Sequence, residues 1–310
     1  MREWLNEPNR NLLFHYTSSA TALNGILHSG RIRFGNMHNT NDPYENQVWG
    51  IHLKLTLDGL LLNKEVVAQE LLIDEIKRRV EAIEAVTNIT HLLHGRSQVF
   101  CTTQDNFETS CTGHLHRGYT IPSLWAHYGD KHKGVCFAFD KSSLKKKISD
   151  TAKARGVILF HDSISYDVIP TNSPAFSIKY DFPIDRAIIE HVREFQKTLL
   201  FTKDPSWSPE NEFRFVVTCN DDRPFEIDIS DSIIGIILGA QFSEVNKPLI
   251  FEAYKNFGLH ICKLSWNVGW PSIYTWITKS RKERNIERVE TKKIKRAAFL
   301  KSLYSKEWVS

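Results

Sequence analysis

The chain has 310 residues, of which 41% are hydrophobic and 25% charged, and its formal net charge is +4. This supplies enough apolar material for a large packed core, and no apolar run approaches the roughly 20 residues that a membrane-spanning helix needs. The first residues lack the apolar core of a signal peptide and the five cysteines are widely spaced, so we expect a cytoplasmic protein with reduced thiols.

The first predicted elements are two strands on either side of a short helix. Residues 12–17 and 31–34 are typical of strands, and between them Ser18 or Ser19 is placed to cap a helix that ends at Gly30. From about 60–95, apolar residues recur mostly at every third or fourth position. This spacing predicts a helical insertion, which we expect to carry no catalytic group.

Short strands then follow, with helices between some of them. The strand-like runs are 98–102, 134–139, 157–160, 213–218, 225–229, 233–238 and 260–264. Residues 184–200 and 246–257 are predicted helices, with Pro183 just before the first and Gly258 just after the second. There is no regular βαβ repeat, no GxGxxG and no phosphate-loop lysine motif, so a doubly wound dinucleotide fold is not expected. The sequence predicts an α+β protein.

The end of the chain carries the positive charge. Between Lys279 and Lys301, ten Lys and Arg against three Glu give +7, which leaves −3 on the rest of the chain. We predict one α+β domain over residues 1–270 and a basic helical tail over 271–310. The tail is compatible with a solvated helix face and with a surface for nucleic acid or an acidic protein, and both possibilities stay open.

Four polar clusters interrupt the apolar segments, and each has a structural alternative. In the first, His15 shares a strand face with Thr17, whereas Tyr16 lies on the other face. A histidine in a strand either fills a structural role or presents a ring nitrogen to a ligand such as a sugar hydroxyl. The second cluster runs from Asn41 to Glu45 and taken alone has the composition of a turn.

The third and fourth clusters combine aromatic and charged residues. In the loop before a predicted buried strand, Trp125 and Tyr128 could enclose a planar ring or form the edge of the core. Further along, the alternation predicts that Phe213, Phe215 and Val217 face the core. Glu210, Glu212 and Arg214 are then predicted to share the opposite face of the strand. Arg214 could then keep Glu212 ionised, and a surface charge pair is the alternative.

Together these clusters resemble a bacterial family labelled domain of unknown function 2971. The family's motifs are HYT, NDPxE, WxxY followed by KG, and WxxExExR. They correspond here to His15-Tyr16-Thr17, Asn41 to Glu45, Trp125 to Tyr128 with Lys133-Gly134, and Trp207 to Arg214. The resemblance extends over residues 12–240 in order and spacing.

A strand with HYT, a helix, a central aromatic residue and a late ExE strand are also similar to the ADP-ribosyltransferase superfamily with its His, Tyr, Glu triad. This resemblance implies a mixed, split central β-sheet and NAD as a substrate. It implies that His15 binds a ribose hydroxyl, that Tyr16 or Tyr128 stacks on nicotinamide, and that Glu212 stabilises the transition state while Glu210 activates the acceptor. The other residues assigned to NAD binding are Thr17, Asn41, Asp42, Trp125 and Arg214.

The resemblance thus implies an NAD-dependent ADP-ribosyltransferase, an effector or toxin of bacterial antiphage defence that modifies nucleic acid or protein and that a partner or inhibitor could bind. Two alternatives stay open. Asp42, Glu45, Glu210 and Glu212 could hold a metal ion for phosphodiester cleavage, or the clusters could be structural in a non-catalytic nucleic-acid-binding or ligand-sensing module. The residues from Cys111 to His116 lack a second ligand pair, so no metal site is predicted there.

Overall fold

The computed structural model describes residues 5, 11–42, 53–55, 77, 80, 97–106, 117–168, 176–178, 184–219, 223–268 and 270–275. Most of the predicted insertion at about 60–95 lies outside the described residues, as do Pro43 to Glu45, the segment from Cys111 to His116 and the basic segment 279–301. The predictions made for those segments therefore stay predictions.

The described strands are, in chain order, β1 (Leu12–Thr17), β2 (Arg31–Arg33), β3 (Gly35–Asn36), β4 (Leu53–Leu55), β5 (Ser97–Gln104), β6 (Val135–Asp140), β7 (Ile158–Ser163), β8 (Ser165–Tyr166), β9 (Phe176–Ile178), β10 (Thr202–Lys203), β11 (Glu212–Thr218), β12 (Glu226–Asp228), β13 (Ile233–Leu238), β14 (His260–Asn267) and β15 (Trp270–Thr275). Nine of them form one sheet in the order β15-β14-β13-β6-β1-β5-β11-β7, with β3 paired to β5. Only the β13–β14 pair of this sheet is parallel among the described strands. The predicted mixture of helices with a large mixed central sheet is confirmed.

The first helix begins and ends where the sequence predicts. It combines a π-helical segment, Thr21–Ile26, with a final turn, Leu27–Ser29. At its start Oγ of Ser18 accepts a hydrogen bond from the backbone N–H of Thr21 at 3.1 Å, and Gly30 ends it with a left-handed φ of 67°.

The other described helices are Pro122–His127, Lys141–Arg155, Ile184–Glu194, Gln196–Leu200 and Lys247–Phe257, and 3-10 segments cover Met37–Asn39, Pro205–Glu210 and Glu244–Asn246. None of these helices has the length and apolar character needed to cross a membrane. Among the cysteines within the described ranges, Cys101 and Cys136 are free thiols.

Some predicted elements differ from the structure. The single helix predicted over residues 184–200 is interrupted at Phe195, and the loop predicted around Trp125 is instead the helix Pro122–His127. Helix Lys141–Arg155 was not predicted at all. At the end of the domain, β15 pairs with β14 as far as Thr275, so the sheet runs past the boundary predicted at residue 270.

Both faces of β11 are buried. Phe213, Phe215 and Val217 belong to the larger core cluster, as the alternation of the sequence predicts. Glu212 and Arg214 project from the opposite face, yet they are 4% and 0% exposed. The polar face of this strand therefore turns towards the interior of the protein and not towards solvent.

Strands β1 and β5 separate part of the way along their length. They pair at Leu13 with Gln104 and at Phe14 with Thr103, whereas β1 pairs with β6 over its full length. Past Phe14 a side chain replaces the backbone pairing, because Nδ1 of His15 lies 2.9 Å from the carbonyl oxygen of Cys101. The separation creates an opening beside the centre of the sheet.

Candidate functional site

A cavity of about 400 Å³ lies at this opening. Its wall mixes apolar side chains with a few converging polar groups, which is the usual make-up of a small-molecule site. The apolar part includes Phe14, Val99, Phe100 and Leu124. The polar part includes His15, Asn41, Tyr128, Lys203, Glu210, Glu212 and Arg214.

Four buried charged side chains form the floor of the site, and we call them the charged cluster: Lys203, Glu210, Glu212 and Arg214. Nε of Arg214 donates to Oε1 of Glu212 at 2.7 Å, and its second nitrogen, Nη2, donates to Oε2 at 3.1 Å. Nζ of Lys203 lies 2.7 Å from Oε2 of Glu212 and 3.0 Å from Oε2 of Glu210. The cluster thus pairs two cations with two carboxylates and carries no net charge.

The charged cluster fixes the ionisation of Glu212. Burial acts to raise the pKa of this carboxyl group, but the charges of Arg214 and Lys203 outweigh it and lower the pKa from 4.5 to about 2. Glu212 is therefore a carboxylate at neutral pH. The prediction that Arg214 keeps Glu212 ionised is supported by this geometry, and Lys203 contributes to the same effect.

Two tyrosines attach the carboxylates to their surroundings. The hydroxyl of Tyr128 donates to Oε1 of Glu210 at 2.8 Å, and burial together with the Glu210 charge raises the pKa of Tyr128. The hydroxyl of Tyr166 accepts from the backbone N–H of Glu212 at 2.8 Å. Tyr128 therefore stays protonated and holds Glu210, while Tyr166 holds the start of β11.

His15 is set up as a neutral hydrogen-bond acceptor. A carbonyl oxygen can only accept, so Nδ1 must carry the proton that bonds to Cys101. Burial lowers the pKa of His15, more than the bond to Cys101 raises it, and the ring is neutral at physiological pH. Its Nε2 then has a lone pair, and no residue within the described part of the chain bonds to it.

The remaining predicted residues divide into those that border the cavity and those that do not. Tyr16 borders it, but its hydroxyl donates to the carbonyl of Gly118 at 2.6 Å and its ring packs edge-on against Trp125. Trp125 itself is fully buried, and its ring nitrogen donates to a backbone carbonyl. Thr17 and Asp42 are not among the residues that border the cavity.

The geometry of one helix explains why Tyr128, and not Trp125, reaches the cavity. Leu124 and Tyr128 are four residues apart, and the N–H of Tyr128 bonds to the carbonyl of Leu124 at 2.8 Å, so both side chains lie on one side of the turn. Trp125 is rotated by about 100° and faces the core. The assignment of Trp125 to ligand binding therefore has no contact to support it.

Sequence analysis missed Lys203. Its ammonium group lies beneath Trp207, 5.5 Å from the ring centre, and joins both carboxylates. A signal was nonetheless present in the sequence. If Glu210, Glu212 and Arg214 are all buried, one negative charge lacks a partner, and such a charge requires another cation nearby.

The charged cluster is poorly suited to a divalent metal ion. Both of its carboxylates are already bound by cations, whose charges would repel a metal ion. Within the described ranges no group of three or more His, Cys, Asp or Glu side chains is placed to hold a metal ion. Asp42 does not border the cavity, and Glu45 lies outside the described residues.

The fold and the site define a protein of helices and a large mixed sheet, with a neutral cluster of buried charges at the floor of a cavity. Residues 124–215 match the family described as "Protein of unknown function (DUF2971)". This match confirms over those residues the resemblance predicted from the motifs, and it spans Tyr128 and the whole charged cluster. No curated protein and no solved structure matches the chain.

Proposed function

We propose that the chain is an NAD-dependent ADP-ribosyltransferase that acts at this cavity. The observation that carries the proposal is that His15, Tyr128 and Glu212, which lie far apart in the sequence, border the same cavity. The partial separation of β1 and β5 beside it is compatible with the split sheet that the resemblance implies. The role of an effector or toxin in antiphage defence belongs to the same proposal.

In the proposed reaction, the bond between the nicotinamide nitrogen and the ribose C1′ breaks, and its electron pair leaves with nicotinamide. C1′ then bonds to an oxygen or nitrogen of the acceptor, which loses a proton. Because positive charge develops on the sugar, a fixed carboxylate beside it lowers the barrier. Glu212 meets this requirement because it is ionised and held in place, and Glu210 is the second carboxylate, assigned to take the acceptor's proton.

The other groups supply binding. The lone pair on Nε2 of His15 can accept a hydrogen bond from a ribose hydroxyl, and the ring of Tyr128 with Leu124 and Phe14 offers an apolar surface to nicotinamide. Since Tyr128 also holds Glu210, ligand contact and carboxylate position are coupled at one side chain. This arrangement fixes the reacting groups before the reaction begins.

The test is an assay with NAD labelled on its adenylate group and with total RNA, DNA and cell lysate as acceptors. The wild-type protein is expected to release nicotinamide and to transfer label to one acceptor, and its expression should be toxic to bacteria. Glu212→Gln should lower the rate by roughly 10²–10³, as the loss of one transition-state contact does elsewhere. Tyr128→Phe removes one hydroxyl and should also lower it.

Glu226→Gln is the matched control, because Glu226 is exposed on β12 and does not border the cavity. It should leave the rate and the toxicity unchanged. If the wild-type protein neither transfers label nor hydrolyses NAD with any of these acceptors, the proposed activity is wrong.

A non-catalytic ligand-binding module is the second candidate, and the charge balance of the site favours it. Each carboxylate is already bound by a cation, so the field that Glu212 exerts on a ligand is partly cancelled. In that case NAD or ADP-ribose binds but is recovered intact. Glu212→Gln would then change the affinity for the ligand, and neither protein would cleave it.

A further inference from the structure

Arg33 stands at the open side of the cavity. It is the last residue of β2, it borders the cavity, and its side chain is exposed to solvent. The backbone of Arg33 pairs with that of Glu226 on β12, but no hydrogen bond or ion pair joins its guanidinium group to any residue in the part of the chain that the structure describes. Its guanidinium group is therefore available to a ligand.

Arg31, on the same strand, is the comparison for Arg33, because its side chain is exposed but has an ion pair and does not border the cavity. Arg31 is also exposed, but it does not border the cavity, and its Nη1 lies 3.8 Å from Oε2 of Glu226 on the adjacent strand. The two side chains have the same chemistry and the same local structure. They differ in access to the cavity, which makes Arg31 a natural control.

The charges around the cavity indicate what kind of group Arg33 would bind. The charged cluster balances itself at the floor, where Lys203 and Arg214 meet Glu210 and Glu212. Among the described side chains that border the cavity, Arg33 thus carries the one charge without a counterpart. A ligand that complements this unbalanced positive charge carries an anionic group where it meets Arg33.

We propose that Arg33 binds a phosphate group of a nucleotide ligand, with the diphosphate at the mouth of the cavity and the attached sugar and ring inside. This inference deepens the proposed function and rests on it for the choice of an NAD-type dinucleotide. The planar guanidinium group can donate two parallel hydrogen bonds to phosphate oxygens. Asn36 and Asn39 also border the cavity, and their side-chain amides offer further donors.

The experiment measures ligand binding to the full chain by isothermal titration calorimetry. ADP-ribose is the probe that carries the diphosphate, and nicotinamide riboside is the probe that carries sugar and ring without phosphate. Arg33→Gln should weaken ADP-ribose binding about tenfold or more, as expected for hydrogen bonds between charged groups, and change riboside binding less than about twofold. Arg31→Gln should change neither. The Arg33 contribution should shrink as salt is raised, because the group is exposed.

Three results would overturn the inference: equal losses for both probes, equal effects of Arg33→Gln and Arg31→Gln, or no binding of ADP-ribose to the wild-type protein. The outcome is separable from that of the proposed activity. If Arg33→Gln cleaves NAD with an unchanged KM, the inference fails and the activity stands. If ADP-ribose binding depends on Arg33 but NAD is never cleaved, the activity fails and the phosphate site stands.

Discussion

Replacing Lys203 by methionine tests the charged cluster most directly. The Lys203 ammonium lies 2.7 Å from Glu212 and 3.0 Å from Glu210, and all three side chains are buried. At an effective dielectric constant of about 20, each of these contacts attracts by ~5–6 kcal/mol, and desolvation of the ions offsets much of it. Without Lys203, Arg214 still pairs with Glu212, but the buried carboxylate of Glu210 loses its cation. We expect the free energy of unfolding to fall by ~3–5 kcal/mol, the usual cost of breaking a buried ion pair.

The double variant Lys203→Met/Glu210→Gln separates this charge effect from a loss of packing. It removes one carboxylate together with the ammonium, so Glu212 and Arg214 again balance, and we expect it to be more stable than the single variant by ~1–3 kcal/mol. Urea unfolding followed by tryptophan fluorescence at neutral pH gives both values. Lys146→Met, at an exposed lysine, is the control and should stay within ~0.5 kcal/mol of wild type. A loss below ~1 kcal/mol in the single variant, or a double variant no more stable than it, would refute the reasoning.

Three further predictions follow from the same contacts. Because the pKa of Glu212 is about 2 in the folded protein against 4.5 for the free group, its ~3 kcal/mol of stability is complete above pH 4.5 and is lost as the pH falls towards about 2. Urea unfolding at several acidic pH values should show this slope in the wild type and a shallower one in Glu212→Gln; parallel slopes would count against it. Gly239→Ala should destabilise by ~1–3 kcal/mol, because a Cβ there overlaps the carbonyl of His132, whereas Gly25→Ala meets no atom and should not; thermal unfolding compares the two. NMR titration should find the pKa of His15 below 6.5, since burial lowers it, with the proton of the neutral ring on Nδ1, and a proton on Nε2 would contradict the assigned hydrogen bond.

The sequence predicts a helix best where capping residues mark both of its ends and apolar residues recur often between them. Ser18 and Gly30 identified the first helix in this way. Helix Lys141–Arg155 has equally good ends, because Asp140 caps it and Gly156 closes it with a φ of 65°. Between those ends, however, a buried residue occurs at every fourth position and lysines dominate the rest. A single row of buried residues suffices because only one side of this helix meets the core. The apolar periodicity is weak as a result, since most residues of the helix are polar or charged.

At the site, the two-residue repeat of a strand predicted which side chains lie on the same face of β11. Glu212 and Arg214 lie two residues apart on β11 and form the predicted pair. Glu210 was placed on the same strand face, but the chain turns at Asn211, whose φ is 42°, and Glu210 lies in the preceding 3-10 segment. It still reaches the cluster because Lys203 binds both carboxylates. That bridge depends on how two short segments fold back on each other, which no local pattern specifies.

The site residues come from two parts of the chain, and we expect these parts to contribute differently to ligand binding and to stability. Tyr128 and the charged cluster lie in the segment that matches the family model, residues 124–215. His15 and Arg33 come from the first part of the chain and meet that segment across the opening between β1 and β5. The cluster holds itself together by its own ion pairs, so the N-terminal residues are not needed to keep its charges balanced. Changes at His15 or Arg33 should therefore alter what the cavity binds with little loss of stability, whereas changes in the cluster should alter both.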